Sequence, residues 1–107
     1  MRKLLNMIIY NVTINVDWSI HEEWLQWVKQ DQIPGMLATG HFSGSRILRL
    51  LQVDELEGPT YAVQYYADTI DDYNLFIESR SAIQSEKEFS KWGDKTVGFS
   101  TIMEVVQ

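Results

Sequence analysis

The chain has 107 residues, no cysteine, and 9 Lys+Arg against 15 Asp+Glu, a formal net charge of −6. The missing cysteines exclude a disulfide scaffold, a thiolate zinc site and a cysteine nucleophile, and the acid excess argues against binding a phosphate backbone. One domain over residues 1–107 is expected, with roughly two-thirds of the unfolded surface buried. The charge is uneven: residues 1–53 carry net +1 and residues 54–107 net −7. A solvated acidic second helix and its loops account for that. Residues 1–6 read as a short extension ahead of Met7, and either methionine is a candidate start. The apolar run near the N-terminus is broken by Asn6 and Asn11, and no small-residue cleavage site follows. The longest apolar stretch is far below the ~18 residues of a spanning helix. A cytoplasmic protein without membrane association is expected.

From Tyr10 to Trp18 apolar and polar residues alternate strictly, with Asn11, Thr13, Asn15 and Asp17 on the polar side. That is a half-buried strand. Ser19 and Glu22 fit a capping box, and Ile20, Trp24, Trp27 and Val28 form one apolar helical stripe. Ile33-Pro34 interrupts this helix, Pro34 opens a second short piece, and Gly40 caps it. A second strand is expected from Phe42 to Val53. Arg46 and Arg49 lie on its opposite faces, and which one points outward is open. Pro59 closes the following turn, and Thr60 to Asp68 reads as the third strand.

Thr69 and Asp72 cap a long helix whose stripe is Ile70, Tyr73, Phe76, Ile77, Ile83 and Phe89, with Gly93 as its stop. Ser79-Arg80-Ser81 is a candidate break. Residues 95–106 form the last strand, with Val97, Phe99, Thr101, Met103 and Val105 facing one way and Gly98, Ser100, Ile102 and Glu104 the other.

This order predicts an α+β fold: ferredoxin-like βαββαβ, a four-stranded antiparallel sheet with two helices on one face. The helices are expected to cover Tyr10, Val12, Ile14, Val16, Val63, Tyr65, Val97 and Phe99. The other face lacks cover within the chain and is expected to carry Asn11, Thr13, Asn15, Gln64, Tyr66, Ser100 and Ile102, plus an arginine, with Arg46 as the candidate. Such a face is left to water, a second subunit or a ligand. The expected partner is a second copy, and a polar lining shared by two sheets could hold a small molecule.

Elsewhere chemistry is sparse. His21 begins a helix beside Glu22 and Glu23, and His41 follows Gly40 at a loop–strand junction. His21-Glu22-Glu23-Trp24 lacks the second histidine of a zinc-protease motif, so no metal site and no cofactor are expected. Neither a nucleophile elbow nor a phosphate-cradling glycine loop is present. His41 and Trp18 stand as second-tier candidates, Trp18 for stacking on a ligand. RNA binding on the sheet would need exposed aromatics with basic flanks, which Tyr66 alone does not supply.

Several blocks resemble a known family: Met7-Ile8-Ile9-Tyr10-Asn11-Val12-Thr13, His21-Glu22-Glu23-Trp24-Leu25-x-Trp27, Ile33-Pro34-x-Met36-Leu37-Ala38-Thr39-Gly40-x-Phe42, Thr60-Tyr61-Ala62-Val63-Gln64-Tyr65 and Gly93-Asp94-Lys95. In this order, from Met7 to about Val106, they resemble the bacterial domain-of-unknown-function family 4286. The resemblance implies a small bacterial protein without an assigned activity and supplies no catalytic residues. It also implies an arginine after the phenylalanine of the last strand, where this chain has Ser100. The topology is similar to that of dimeric α/β-barrel proteins, which include cofactor-free monooxygenases. The expectation is a homodimeric binding or structural module working through its open sheet face. The alternative is a cofactor-independent, monooxygenase-like enzyme acting on a small molecule in the dimeric sheet cavity, with Asn11, Asn15 and Tyr66 orienting the substrate and His41 or an arginine assisting.

Overall fold

The computed structural model of the chain describes residues 6–107, so the expected extension, apart from Asn6, lies outside the described residues. The alternating segment becomes β1 (Ile8–Val16). A 3-10 turn at Trp18–Ile20 leads into α1 (His21–Trp27), a π-helical segment at Val28–Gln32 and α2 (Ile33–Ala38). Then come β2 (Gly44–Arg49) and β3 (Thr60–Ala67). α3 (Ile70–Ser79), α4 (Ser81–Trp92) and β4 (Thr96–Glu104) complete the order. The strands make an antiparallel four-stranded sheet in the order β2-β3-β1-β4, an α+β architecture. Among the described residues no helix is long and apolar enough to cross a membrane.

Local chemistry explains the helix boundaries. Pro34 has no N–H to donate, and the helix widens just before it: the Ile33 N–H bonds the Val28 carbonyl five residues back. The expected box at Ser19 does not cap α1. Asp17 instead accepts from the Ser19 N–H at 2.8 Å, and the added 3-10 turn moves the start of α1 beyond the reach of Ser19. Thr69 does cap α3, accepting from the Asp72 N–H at 3.2 Å. The helix breaks at Arg80, whose backbone leaves the helical region (φ −129°, ψ −23°). Gly40 (φ +85°) and Gly93 (φ +58°) follow α2 and α4 in a conformation that other residues adopt at a cost.

The core lies between the helices and one sheet face. Trp24, Trp27, Val28 and Met36 meet Ile14, Val16, Val63 and Tyr65 there, with Phe76 from α3 and Trp92 from α4. Tyr10 is the centre of an aromatic cluster, its ring centroid 5.5 Å from Phe76, 5.7 Å from Tyr73 and 6.1 Å from Phe42. Such pairs add ~0.5–1.5 kcal/mol each to their area burial.

The register of β4 corrects its expected faces. β1 pairs Thr13 with Phe99 and Asn15 with Val97, while Val12 pairs with Ser100 and Tyr10 with Ile102. Residues directly opposite in a ladder share a face. Val97 and Phe99 therefore stand on the face away from the helices, 70% and 65% exposed, and Ser100 and Ile102 stand on the helix side. Both parities of β4 carry apolar residues, so its own alternation does not choose a face; pairing with β1 does.

The loop before β3 is tied to the end of β1. Asn15 Nδ2 donates to the Gly58 carbonyl (2.9 Å) and to Thr60 Oγ1 (3.1 Å), and the Val16 N–H donates to the Pro59 carbonyl (2.9 Å). A Cβ on Gly58 would lie 1.7 Å from the Val16 carbonyl oxygen, whereas one on Gly35 would meet nothing within 4 Å. Gly58→Ala is expected to lose ~3 kcal/mol or more in urea unfolding, because the obstructing atom is backbone. Gly35→Ala, in α2, is expected to gain up to ~1 kcal/mol. Equal midpoints for the two variants would contradict this account of the loop.

Candidate functional site

Two places on the sheet gather polar chemistry, one on each face. On the face away from the helices, β1, β3 and β2 align Asn11, Gln64 and Arg46 in one cross-strand row. Gln64 Nε2 donates to Asn11 Oδ1 at 3.2 Å, and Asn11 Nδ2 donates to Thr13 Oγ1 at 3.0 Å. Tyr66 is one row along, with the Arg46 guanidinium carbon 6.0 Å from its ring centroid. Arg46 is thus the arginine on this face. Arg49 lies on the other side and pairs with Glu55 at 2.9 Å. The structure brings together Asn11, Thr13, Arg46, Gln64 and Tyr66.

Asn15 shares that face, but its amide is taken up by the loop carbonyls at Gly58 and Pro59. Ser100 and Ile102 do not belong to the group, since their pairing with Val12 and Tyr10 turns them to the helix side. Trp18 is half-exposed, its indole N–H bound to the Glu55 carbonyl at 2.9 Å. His41 is partly buried, its ring 6.5 Å from that of Phe76. His21 meets the Tyr61 hydroxyl at 2.6 Å. Around the polar row the face is apolar, with Leu48 and Met103 over a third exposed as well as Val97 and Phe99. Gln64 Oε1 is buried there without a hydrogen-bond partner.

The second place is a cavity of ≈ 30 Å³ between the sheet and α4. Its walls include the rings of Tyr10, Tyr65, Trp24 and Trp27. Glu88 from α4 and Gln32 from the π-helical segment supply the polar lining, with Gln84 one turn before Glu88. Gln32 Nε2 donates to Glu88 Oε1 at 3.1 Å, and Gln84 Nε2 donates to Gln32 Oε1. Burial raises the Glu88 carboxyl above its ordinary 4.5, opposed by the Gln84 and Gln32 amides. Burial, reinforced by the negative charge of Glu88, raises both tyrosine hydroxyls. Among the described residues no three His, Asp or Glu side chains gather to hold a metal.

Sequence reasoning missed this cavity because it carried one apolar stripe through residues 70–89. The break at Arg80 resets the helical phase. Within α4 the inward positions are Gln84, Glu88 and Trp92, while Ile83 and Phe89 are 63% and 70% exposed. The spacing 81, 84, 88, 92 is itself a helical face, and its polar character concealed it.

The charged form of Glu88 is disfavoured in the fold. Native stability from this group is therefore fullest below 4.5 and falls as pH rises from there through the raised native pKa. Tyr10 and Tyr65, the other titratable groups lining the cavity, stay neutral across that range. Glu88→Gln removes the dependence. In thermal unfolding from about pH 4 to about pH 8, the variant is expected to gain on the parent chain as pH rises. A difference independent of pH would show that the carboxyl is not held in a desolvated site.

No curated protein matches the chain. Residues 7–106 match the family described as Domain of unknown function (DUF4286). With nearly its whole length matched, the chain belongs to this family of unknown function.

Proposed function

We propose that the chain is a homodimeric binding or structural module, one domain in ferredoxin-like arrangement, whose working surface is the sheet face away from the helices. The carrying observation is the exposure of Val97 and Phe99 on β4, 70% and 65%, on the face turned away from the helices. Large apolar groups gain from cover. The sheet order β4-β1-β3-β2, with helical segments between β1 and β2 and between β3 and β4, supports the ferredoxin-like reading.

The size of the face permits a second copy as its cover. Four strands ~4.8 Å apart and rising ~3.3 Å per residue present about 500 Å², so two copies face to face bury about 1,000 Å², the threshold for a biological interface. A two-fold contact also brings the apolar rim of each copy, Leu48 and Met103 included, against the same surface on the other. Among the described strand residues Arg46 is the charged side chain on this face, and it stands exposed on the edge strand β2, where it can remain hydrated.

Sedimentation equilibrium tests this reading. The parent chain is expected to be a dimer at micromolar concentration. Phe99→Glu is expected to weaken association about a hundredfold, the loss of an aromatic anchor combined with burial of a charge. Phe89→Glu, equally exposed but on α4, is expected to leave association unchanged. A parent chain monomeric at tens of micromolar, or equal effects of the two variants, would contradict the proposal.

A further inference from the structure

We propose that the cavity between the sheet and α4 binds a small organic cation, a primary alkylamine in its ammonium form, with Glu88 as the counter-ion. This site is on the opposite side of the sheet from the proposed dimer face and stands independently of it.

The chemistry of the walls selects the ligand. Glu88 brings a carboxyl group, and among the described residues no Lys, Arg or His lines the cavity with it. The amide of Gln32 is committed to Glu88 and to Gln84. The other polar groups are the Gln84 amide and the hydroxyls of Tyr10 and Tyr65. The described lining thus holds one acidic side chain and no basic one. An ammonium group supplies the opposite charge together with three donors. A carboxylate or phosphate would be repelled by Glu88, and a neutral alcohol would leave the charge uncompensated.

The aromatic walls point the same way. The faces of tryptophan and tyrosine rings attract cations, and the attraction strengthens where water is excluded. Trp24 is 2% exposed, Tyr65 2% and Trp27 8%. The size is set by the cavity: ≈ 30 Å³ accommodates a head group of one or two heavy atoms. The cavity is partly open, and Tyr10, Val12, Gln84 and Glu88 on its walls are partly exposed, which leaves an alkyl tail a way out beside them. A branched or quaternary cation is too wide for this space, so the geometry favours a linear primary amine.

The test uses the parent chain and n-propylammonium chloride, with n-propanol and sodium propionate as neutral and anionic counterparts at matched ionic strength near neutral pH. Thermal unfolding is expected to show saturable stabilisation by propylammonium, with an apparent affinity at least about tenfold above that for propanol, and none by propionate. In NMR titration, the indole N–H resonances of Trp24 and Trp27 are expected to shift saturably. Glu88→Gln should remove the preference for the ammonium over the alcohol, while Glu86→Gln, exposed on the same helix, should retain it. Equal affinity for amine and alcohol, an unaltered preference in Glu88→Gln, or titration shifts that bypass both indoles would overturn the proposal. The indole shifts in the parent chain decide the matter even if Glu88→Gln fails to fold.

Discussion

β1 is paired along both edges, to β3 on one side and β4 on the other, and that double pairing holds the rest of the molecule in register. Its alternation sends Ile8, Tyr10, Val12, Ile14 and Val16 toward the helices, and Ile9, Asn11, Thr13 and Asn15 away from them. A slip of one residue would exchange the two sets and place three polar side chains in the core. The same pairing decides which side of β4 faces solvent and which of the two arginines on β2 shares a surface with Asn11, since β2 inherits its register from β1 through β3.

The helical layer covers only part of what β1 organises. α3 breaks at Arg80, and α4 resumes with a polar inward face. Gln84 and Glu88 then occupy space that apolar side chains would fill in an ordinary core. A carboxyl among four aromatic rings carries a desolvation cost, offset here by two amide side chains. The π-helical segment ahead of Pro34 belongs to the same local solution, because it is the element that presents Gln32 to Glu88. Departures from regular helix geometry and polarity therefore converge on one cavity. The open sheet face has a different character: a hydrogen-bonded polar row between exposed apolar residues, with an unsatisfied amide oxygen at its centre.

Much of the fold was legible from local chemistry. The alternation of β1, the Thr69 cap, the break near Arg80 and the glycines after α2 and α4 each act through a few neighbouring residues. The expected interruption at Pro34 does not occur: Ile33 keeps helical backbone (φ −64°, ψ −49°), and the helix passes through by widening into the π segment. The grouping of Asn11, Thr13, Gln64 and Tyr66 was legible because it follows from period 2 on two well-patterned strands. The side of β4 was not, since Val97, Phe99 and Met103 compete with Ile102 for the core and only the ladder to β1 settles the matter. Nor was Ser19 as a non-cap, because a single 3-10 turn shifted the helix start. The Glu88 cavity was hidden by a phase change: Ile83 and Phe89 continue the α3 stripe on paper, while the backbone at Arg80 turns Gln84 and Glu88 inward in their place.

The central claim is that a second copy of the chain covers the face beside β4. Isotope-filtered NMR on a mixture of labelled and unlabelled chains measures this directly, because only contacts between copies survive the filter. The account predicts intermolecular contacts from the Val97 and Met103 methyl groups to aromatic protons of Phe99 and Tyr66. Their absence in a sample shown to be dimeric, with contacts arising instead from Ile83 and Phe89 on α4, would contradict it.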